Sequence, residues 1–414
     1  MKKSYRVATL IALGASAAIA VPVLSQRSEP PIARYTVDAG TMSGIGAMAG
    51  GNPLAMLRGG SQASHELILR LGSSRSPSGE PTGDHFMPAN AGLGRSVPLV
   101  TPKPDSGTTS LPNGPTSVQM PKGKLYLYWG CGERAPAGQP VVIDFSKLAQ
   151  GEIPPGLFAG TQVGDDWRVS VDNSRTYGDW PNSKDRKTLP GNSSILGAHK
   201  VVSTYAPQID FTLSDDFMPP LQPRTSDMAS GAINLTWGAL PKATGYYAWV
   251  IASNPDSGSD LDMVWWTSSS TQQFGGFLGD WISPGTVRKL VDAKTVMPPT
   301  QTSCAIPAEV KQRGGPMLMT QLYAYGPQAD FVYPPRPTDP NVVWKPEWTA
   351  RVRFRANAMV MAGMPDMGSM MRGGPSENAD DRPGAQQPEQ QPQGKPKCPG
   401  GLRGVGMRAA GLCQ

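Results

Sequence analysis

Six methionines fall within thirteen residues, at Met359, Met361, Met364, Met367, Met370 and Met371, in a stretch whose glycines and prolines argue against a packed core. Thioether sulfurs are soft, uncharged ligands that suit Cu(I), and a flexible chain can wrap three of them around one ion. Asp366 is interleaved with them and no histidine is near, which leaves Cu(II) poorly served. The competing reading is a low-complexity linker in which methionine is merely tolerated. No cofactor is therefore the first expectation and copper the alternative.

Other chemistry is thinner. His65-Glu66 lacks the second histidine that a zinc-protease helix needs, and no serine nucleophile elbow, Ser-x-x-Lys or phosphate loop with lysine occurs. A hydrolase site assembled around His199 would have to come from tertiary contacts, so the chain is read as non-enzymatic with a carbohydrate-active hydrolase as a residual alternative. Cys131, Cys304, Cys398 and Cys413 allow three disulfide pairings. Cys398–Cys413 is favoured because it closes a short ring in a tail with little else to hold it, whereas Cys131 and Cys304 suit buried small hydrophobes equally well.

The stretch from 233 to 251, INLTWGALPKATGYYAWVI, shows what must position any site. Leu235 and Trp237 alternate on one strand; Tyr246, Ala248 and Val250 alternate on the next, with a Pro/Gly turn between. If these five face a core, Tyr247 and Trp249 face outward, and Trp265 on a neighbouring strand joins them. Such an aromatic strip can stack on sugar rings or anchor a protein. Its other use is to pack under the long 268–296 insertion.

Short strands recur at Glu66–Leu71, Lys124–Cys131, Val141–Phe145, Trp167–Val171, His199–Tyr205, Gln208–Leu213, Met263–Thr267, Thr302–Ile306, Leu318–Tyr325 and Trp348–Arg355, with turn-rich segments between, including Asp172–Asn192. That spacing indicates all-β structure, two antiparallel β-sandwich domains over residues 63–219 and 220–358. The second resembles a fibronectin type III (immunoglobulin-like) sandwich. Leu235-x-Trp237 and Ala243-Thr244-Gly245-Tyr246 look like its B strand, turn and C strand, Ser303–Pro307 its E strand, Leu322–Gly326 its F strand and Trp348–Phe354 its G strand. The resemblance implies an extracellular adhesive or spacer module and no catalytic residues. Tyr205–Phe211 recurs as Tyr325–Phe331, which leaves open a duplication of the two blocks.

Lys2, Lys3 and Arg6 precede an uncharged run ending at Ala18-Ile19-Ala20, so residues 1–20 read as a secretory signal peptide and the chain as periplasmic, secreted or envelope-associated. No later segment reaches the about 18 apolar residues of a membrane span. The formal charge of +6 falls to +3 without those three cations, and no basic run is interleaved with aromatics, so nucleic acid is excluded as a partner. Residues 21–62 read as a flexible Gly/Met-rich linker and 359–414 as a disordered tail. The expected work is binding or scaffolding at the envelope, with an envelope protein or glycan as partner and Tyr247, Trp249 and Trp265 as contact surface.

Overall fold

The computed structural model describes residues 27–48, 63–102, 123–149, 167–253, 262–274 and 277–363. Within them the chain is mostly β, as expected. The first block supplies β1 (Ala33–Gly44), β2 (Ala63–Ser73), β3 (Gly83–Phe86), β4 (Ser96–Pro98), β5 (Lys124–Trp129), β6 (Val141–Asp144), β7 (Thr176–Trp180), β8 (Gly197–Ser203) and β9 (Ile209–Leu213). The second supplies β10 (Arg224–Asp227), β11 (Ile233–Thr236), β12 (Gly245–Ser253), β13 (Met263–Thr267), β14 (Ser303–Ile306), β15 (Leu318–Tyr333) and β16 (Trp348–Ala362). Short helices α1 (Ile45–Met48), α2 (Phe145–Ala149), α3 (Pro284–Asp292) and α4 (Ala308–Gly314) punctuate them.

Nine strands form one sheet in the order β6-β5-β13-β12-β15-β16-β1-β2-β7, and two smaller sheets, β10-β11-β14 and β4-β3-β8-β9, complete the fold. The expectation of two separate sandwiches divided at 219/220 does not describe this sheet. Strands β1, β2 and β7 of the first block continue it beyond β16, and β5 and β6 extend its other edge beside β13. Nor is it purely antiparallel: β1 pairs with β16 and β5 with β13 in parallel. These partners are far apart in sequence, so no hairpin dictates their direction.

Period-two alternation decides which side each strand buries. In β16, Val352, Phe354, Ala356 and Ala358 face the core while Arg351, Arg353 and Arg355 take the opposite face. One continuous hydrophobic core includes these side chains, Leu69 and Leu71 of β2, Tyr246, Ala248 and Val250 of β12, and residues of both small sheets such as Leu235, Ile306, Val201 and Ile209.

Strand β1 corrects the linker expectation over residues 33–44; residues 21–26 and 49–62 lie outside the described residues. It lies between β16 and β2 and is buried along most of its length, with Tyr35 and Ala39 fully enclosed. Its Ala, Gly, Thr and Ser residues suit a strand crowded on both faces, and their composition imitates a linker. Two further expectations shift. Trp167–Val171 forms no strand, whereas β7 lies inside the segment read as turns. The repeated heptapeptides share a local bond, Gln208 Nε2 and Gln328 Nε2 each donating 2.7 Å to Asp210 and Asp330, and Phe211 meets Phe331 with ring centroids 5.0 Å apart. Their settings differ. The first copy turns a corner between β8 and β9; the second runs through β15 with a bulge at Gly326-Pro327, where a Cβ on Gly326 would lie 2.6 Å from the Phe354 carbonyl oxygen.

Cys131 and Cys304 are bonded to each other, joining the segment after β5 to β14 across 173 residues. Of the two uses left open for this pair, the structure has the disulfide; Cys398 and Cys413, the pairing favoured from sequence, lie outside the described residues. The segment also runs along β14 through Gly132 N–H to the Ala305 carbonyl at 2.9 Å, so the bridge clamps the long sheet to the three-stranded one. Closing so long a loop restricts the unfolded chain, and Cys131→Ser/Cys304→Ser is expected to lose about 2–4 kcal/mol in chemical denaturation. An unchanged midpoint would show that the bridge contributes nothing to stability.

Candidate functional site

The outer face of the long sheet, turned away from the small sheets, carries every candidate aromatic. Tyr247, Trp249 and Ile251 of β12 point there because Tyr246, Ala248 and Val250 point to the core. Tyr247 is nevertheless not a contact surface. It is 1% exposed, packed with Leu278, Ile282, Val287, Leu290, Val296 and Tyr325. Helix α3, started by Ser283 accepting from the Thr286 N–H with proline in its first turn, lays Val287 and Leu290 over it. The 268–296 insertion thus covers one end of the strip.

Trp249 and Trp265 remain half-buried. Their rings stack with centroids 5.1 Å apart and 10° between planes, and Phe274 meets Trp265 edge-on at 5.7 Å. Trp249 leans on the Tyr247 cluster, Trp265 on the Leu125–Leu127–Ile143 cluster at the sheet edge. The pair is held in place from both sides, a rigid aromatic slab with its free portion facing outward. Asp262, at the head of β13, accepts from the Lys124 N–H at 2.9 Å and from the Tyr126 hydroxyl at 3.2 Å, which fixes β5 beside the slab.

Elsewhere on the same face, Arg351, Arg353 and Arg355 alternate with core residues along β16 and form a stripe of ion pairs with β1, β2 and β15. Arg353 binds Asp38 through Nε at 2.7 Å and Nη2 at 3.2 Å, and Arg70 reaches the same carboxylate at 2.7 Å. Arg355 contacts Glu66 at 2.9 Å and Arg351 contacts Asp330 at 2.7 Å. Trp281 and Trp167 lie over the guanidinium groups of Arg355 and Arg351, each 4.0 Å from ring centroid to carbon. Arg353 and Arg355 also donate to the Trp281 and Gly279 carbonyls of the insertion. With their donors spent on protein carboxylates and carbonyls, these arginines hold the insertion down and offer no anion site.

The histidines form a second polar structure, inside the core. Tyr35 Oη lies 2.7 Å from His85 Nδ1, His85 Nε2 lies 2.9 Å from His199 Nδ1, and His199 Nε2 lies 2.7 Å from the Ile195 carbonyl oxygen. A carbonyl only accepts, so His199 carries its proton on Nε2 and accepts on Nδ1; His85 then donates from Nε2 and accepts the Tyr35 hydroxyl on Nδ1. Every position is filled with both imidazoles neutral. Burial, then the neighbouring His199, push the His85 pKa well below the ordinary value; burial lowers that of His199 against the opposing Ile195 bond. Burial, with Tyr205 adding to it, raises the Tyr35 pKa. His199 stacks on Phe211 at 5.0 Å and is 3% exposed. Both ring nitrogens of His199 are engaged by these partners.

Met359 and Met361 lie in β16, not in the tail where the sequence reading places them; Met364, Met367, Met370 and Met371 lie outside the described residues. The strand runs four residues past the expected boundary at 358 because Met359, Val360, Met361 and Ala362 continue its pairing with β15. Among the described residues no helix is long and apolar enough to cross a membrane. No protein-family model and no curated protein matches the chain.

Proposed function

We propose that this protein is an exported, non-enzymatic binding or scaffolding protein of the cell envelope, with a fibronectin type III-like sandwich presenting the Trp249–Trp265 slab to a glycan or an envelope protein. The carrying observation is the slab itself: two half-buried indoles stacked in parallel and braced from both sides, so little ordering is left to occur on binding. Flat aromatic surface of this kind suits the apolar face of a sugar ring. The sandwich reading draws support from strand neighbours. β11 lies between β10 and β14, and β13-β12-β15-β16 run side by side, the arrangement that a B strand beside E and a C strand beside F and G requires. Export is supported by the Cys131–Cys304 disulfide, which belongs to an oxidising compartment.

Co-sedimentation of the full chain with insoluble cell-wall polysaccharide tests the reading. Trp249→Ala and Trp265→Ala are each expected to lower the bound fraction at least roughly tenfold, the loss of one stacked aromatic being worth about 1–2 kcal/mol or more at an interface. Circular dichroism should show the β signal retained. Wild-type binding by both variants would discard the slab as the contact surface.

A further inference from the structure

We infer that the corner where β15 begins and β16 ends is a binding site for a soft monovalent cation, Cu(I) or its redox-inert surrogate Ag(I), built from Met319, Met359 and Met361 with Met317 within reach. Two Met-x-Met sequences meet there in antiparallel pairing: Met317-Leu318-Met319 and Met359-Val360-Met361. Register places Met319 directly opposite Met361 and Leu318 opposite Ala362. Leu318 and Ala362 are fully buried in the core, so alternation sends Met319 and Met361 to the outer face, and Met359, two residues along β16, joins them. Side chains opposite one another on antiparallel strands start about 4.5–5.5 Å apart at Cβ, and diagonal neighbours about 7–8 Å. Three rotatable bonds let each methionine close that gap at its sulfur.

The surroundings select the ion. Met319, Met359 and Met361 are partly exposed and Met317 is 51% exposed, so the group is not sealed from solvent. The facing positions are Ile251 beside Met319, Gly44 beside Met359 and Gln321 opposite Met359, none of them charged. Neutral thioethers without a carboxylate or imidazole disfavour Ca²⁺, Mg²⁺ and Zn²⁺ and favour Cu(I). Because thioethers carry no proton to displace, the site should bind equally at pH 6 and pH 8. The donors belong to ordered strands rather than to the 364–371 run, and the inference stands apart from the slab and its partner.

An anaerobic titration of the full chain with Cu(I), in competition with a chromophoric Cu(I) chelator, decides the matter. Wild-type protein should hold about one equivalent, the three-sulfur stoichiometry of a single site. Met319→Leu/Met361→Leu, close in volume to the original, should weaken it at least roughly tenfold. Met364→Leu/Met367→Leu/Met370→Leu/Met371→Leu should leave it within about threefold. On wild-type protein labelled at its methionine methyls, Ag(I) should shift the Met319, Met359 and Met361 resonances together. No Cu(I) held against the chelator, unmoved Met319 and Met361 methyls, or loss of the equivalent in the 364–371 variant with retention in the strand variant, would each overturn the site.

Discussion

Asp38→Ala is expected to destabilise the fold by about 3–5 kcal/mol, measured by chemical denaturation of the full chain at pH 7.5. Asp38 is fully buried and binds two guanidinium groups, at 2.7 Å each. Arg70 keeps 30% of its side chain in solvent and can rehydrate, but Arg353 has only 7% exposed and cannot. Removing the carboxylate therefore strands a positive charge under the insertion, and that penalty exceeds any cavity left by so small a side chain. Asp38→Asn, which keeps the shape and removes the charge, should cost nearly as much. Asp38→Leu/Arg70→Met/Arg353→Met should recover most of the loss, since replacing a whole buried ion cluster with apolar groups is commonly neutral. An Asp38→Ala variant within about 1 kcal/mol of wild type would show that the cluster is solvated.

The stripe also shows how far the sequence was legible. Strands whose two faces differ in polarity announced themselves: β2, β8, β9, β11 and the start of β16 fall close to their expected positions because burial on one face enforces alternation. Strand β1 hid because both faces are crowded. A Cβ on Gly40 would collide with the Glu66 side chain and Thr41 is fully buried, so small residues are what fits, and small residues resemble a linker. Its parallel pairing with β16, which fuses the expected domains into one long sheet, joins residues some three hundred positions apart and leaves no local mark.

Sites followed the same logic. Trp249 and Trp265 were placed on one face by alternation, and the structure stacks them. Tyr247 shared that face, yet its burial depends on where the 268–296 insertion folds, which period-two arithmetic along β12 cannot express. The methionine run beginning at Met359 stood out as sequence, but Met319 did not, and only strand register brings it to Met361. The His85–His199 contact could not be read at all, since the two residues lie on paired strands 114 positions apart and neither has a local motif.

Lowering the pH from 8 to 5 is expected to remove up to about 4 kcal/mol of stability through that histidine chain. Each imidazole is neutral and fully bonded in the native state, and burial is the leading cause of its lowered pKa. The unfolded chain titrates near the ordinary value of about 6.5, so below that pH it takes up protons that the native state refuses. Stability is therefore complete above about pH 6.5 and declines below it until the native pKa is reached, with a slope approaching about 1.4 kcal/mol per pH unit for each histidine. His65 adds to the slope in the same direction, its pKa lowered by burial against the pull of Asp216. Asp179, whose pKa burial raises, works in the opposite direction, because its native form takes up a proton more readily than the unfolded chain does. A proton entering the chain would place a charge between Tyr35, Phe211 and the Ile195 carbonyl, where His85 could keep its Tyr35 partner only by reversing that bond. Urea midpoints for wild type should fall steadily from pH 6.5 to 5, and those of His85→Gln/His199→Gln should start lower and fall less steeply. A wild-type midpoint that is flat across that interval would mean that the native state accepts the protons, and the closed Tyr35–His85–His199 chain would not be the arrangement in solution.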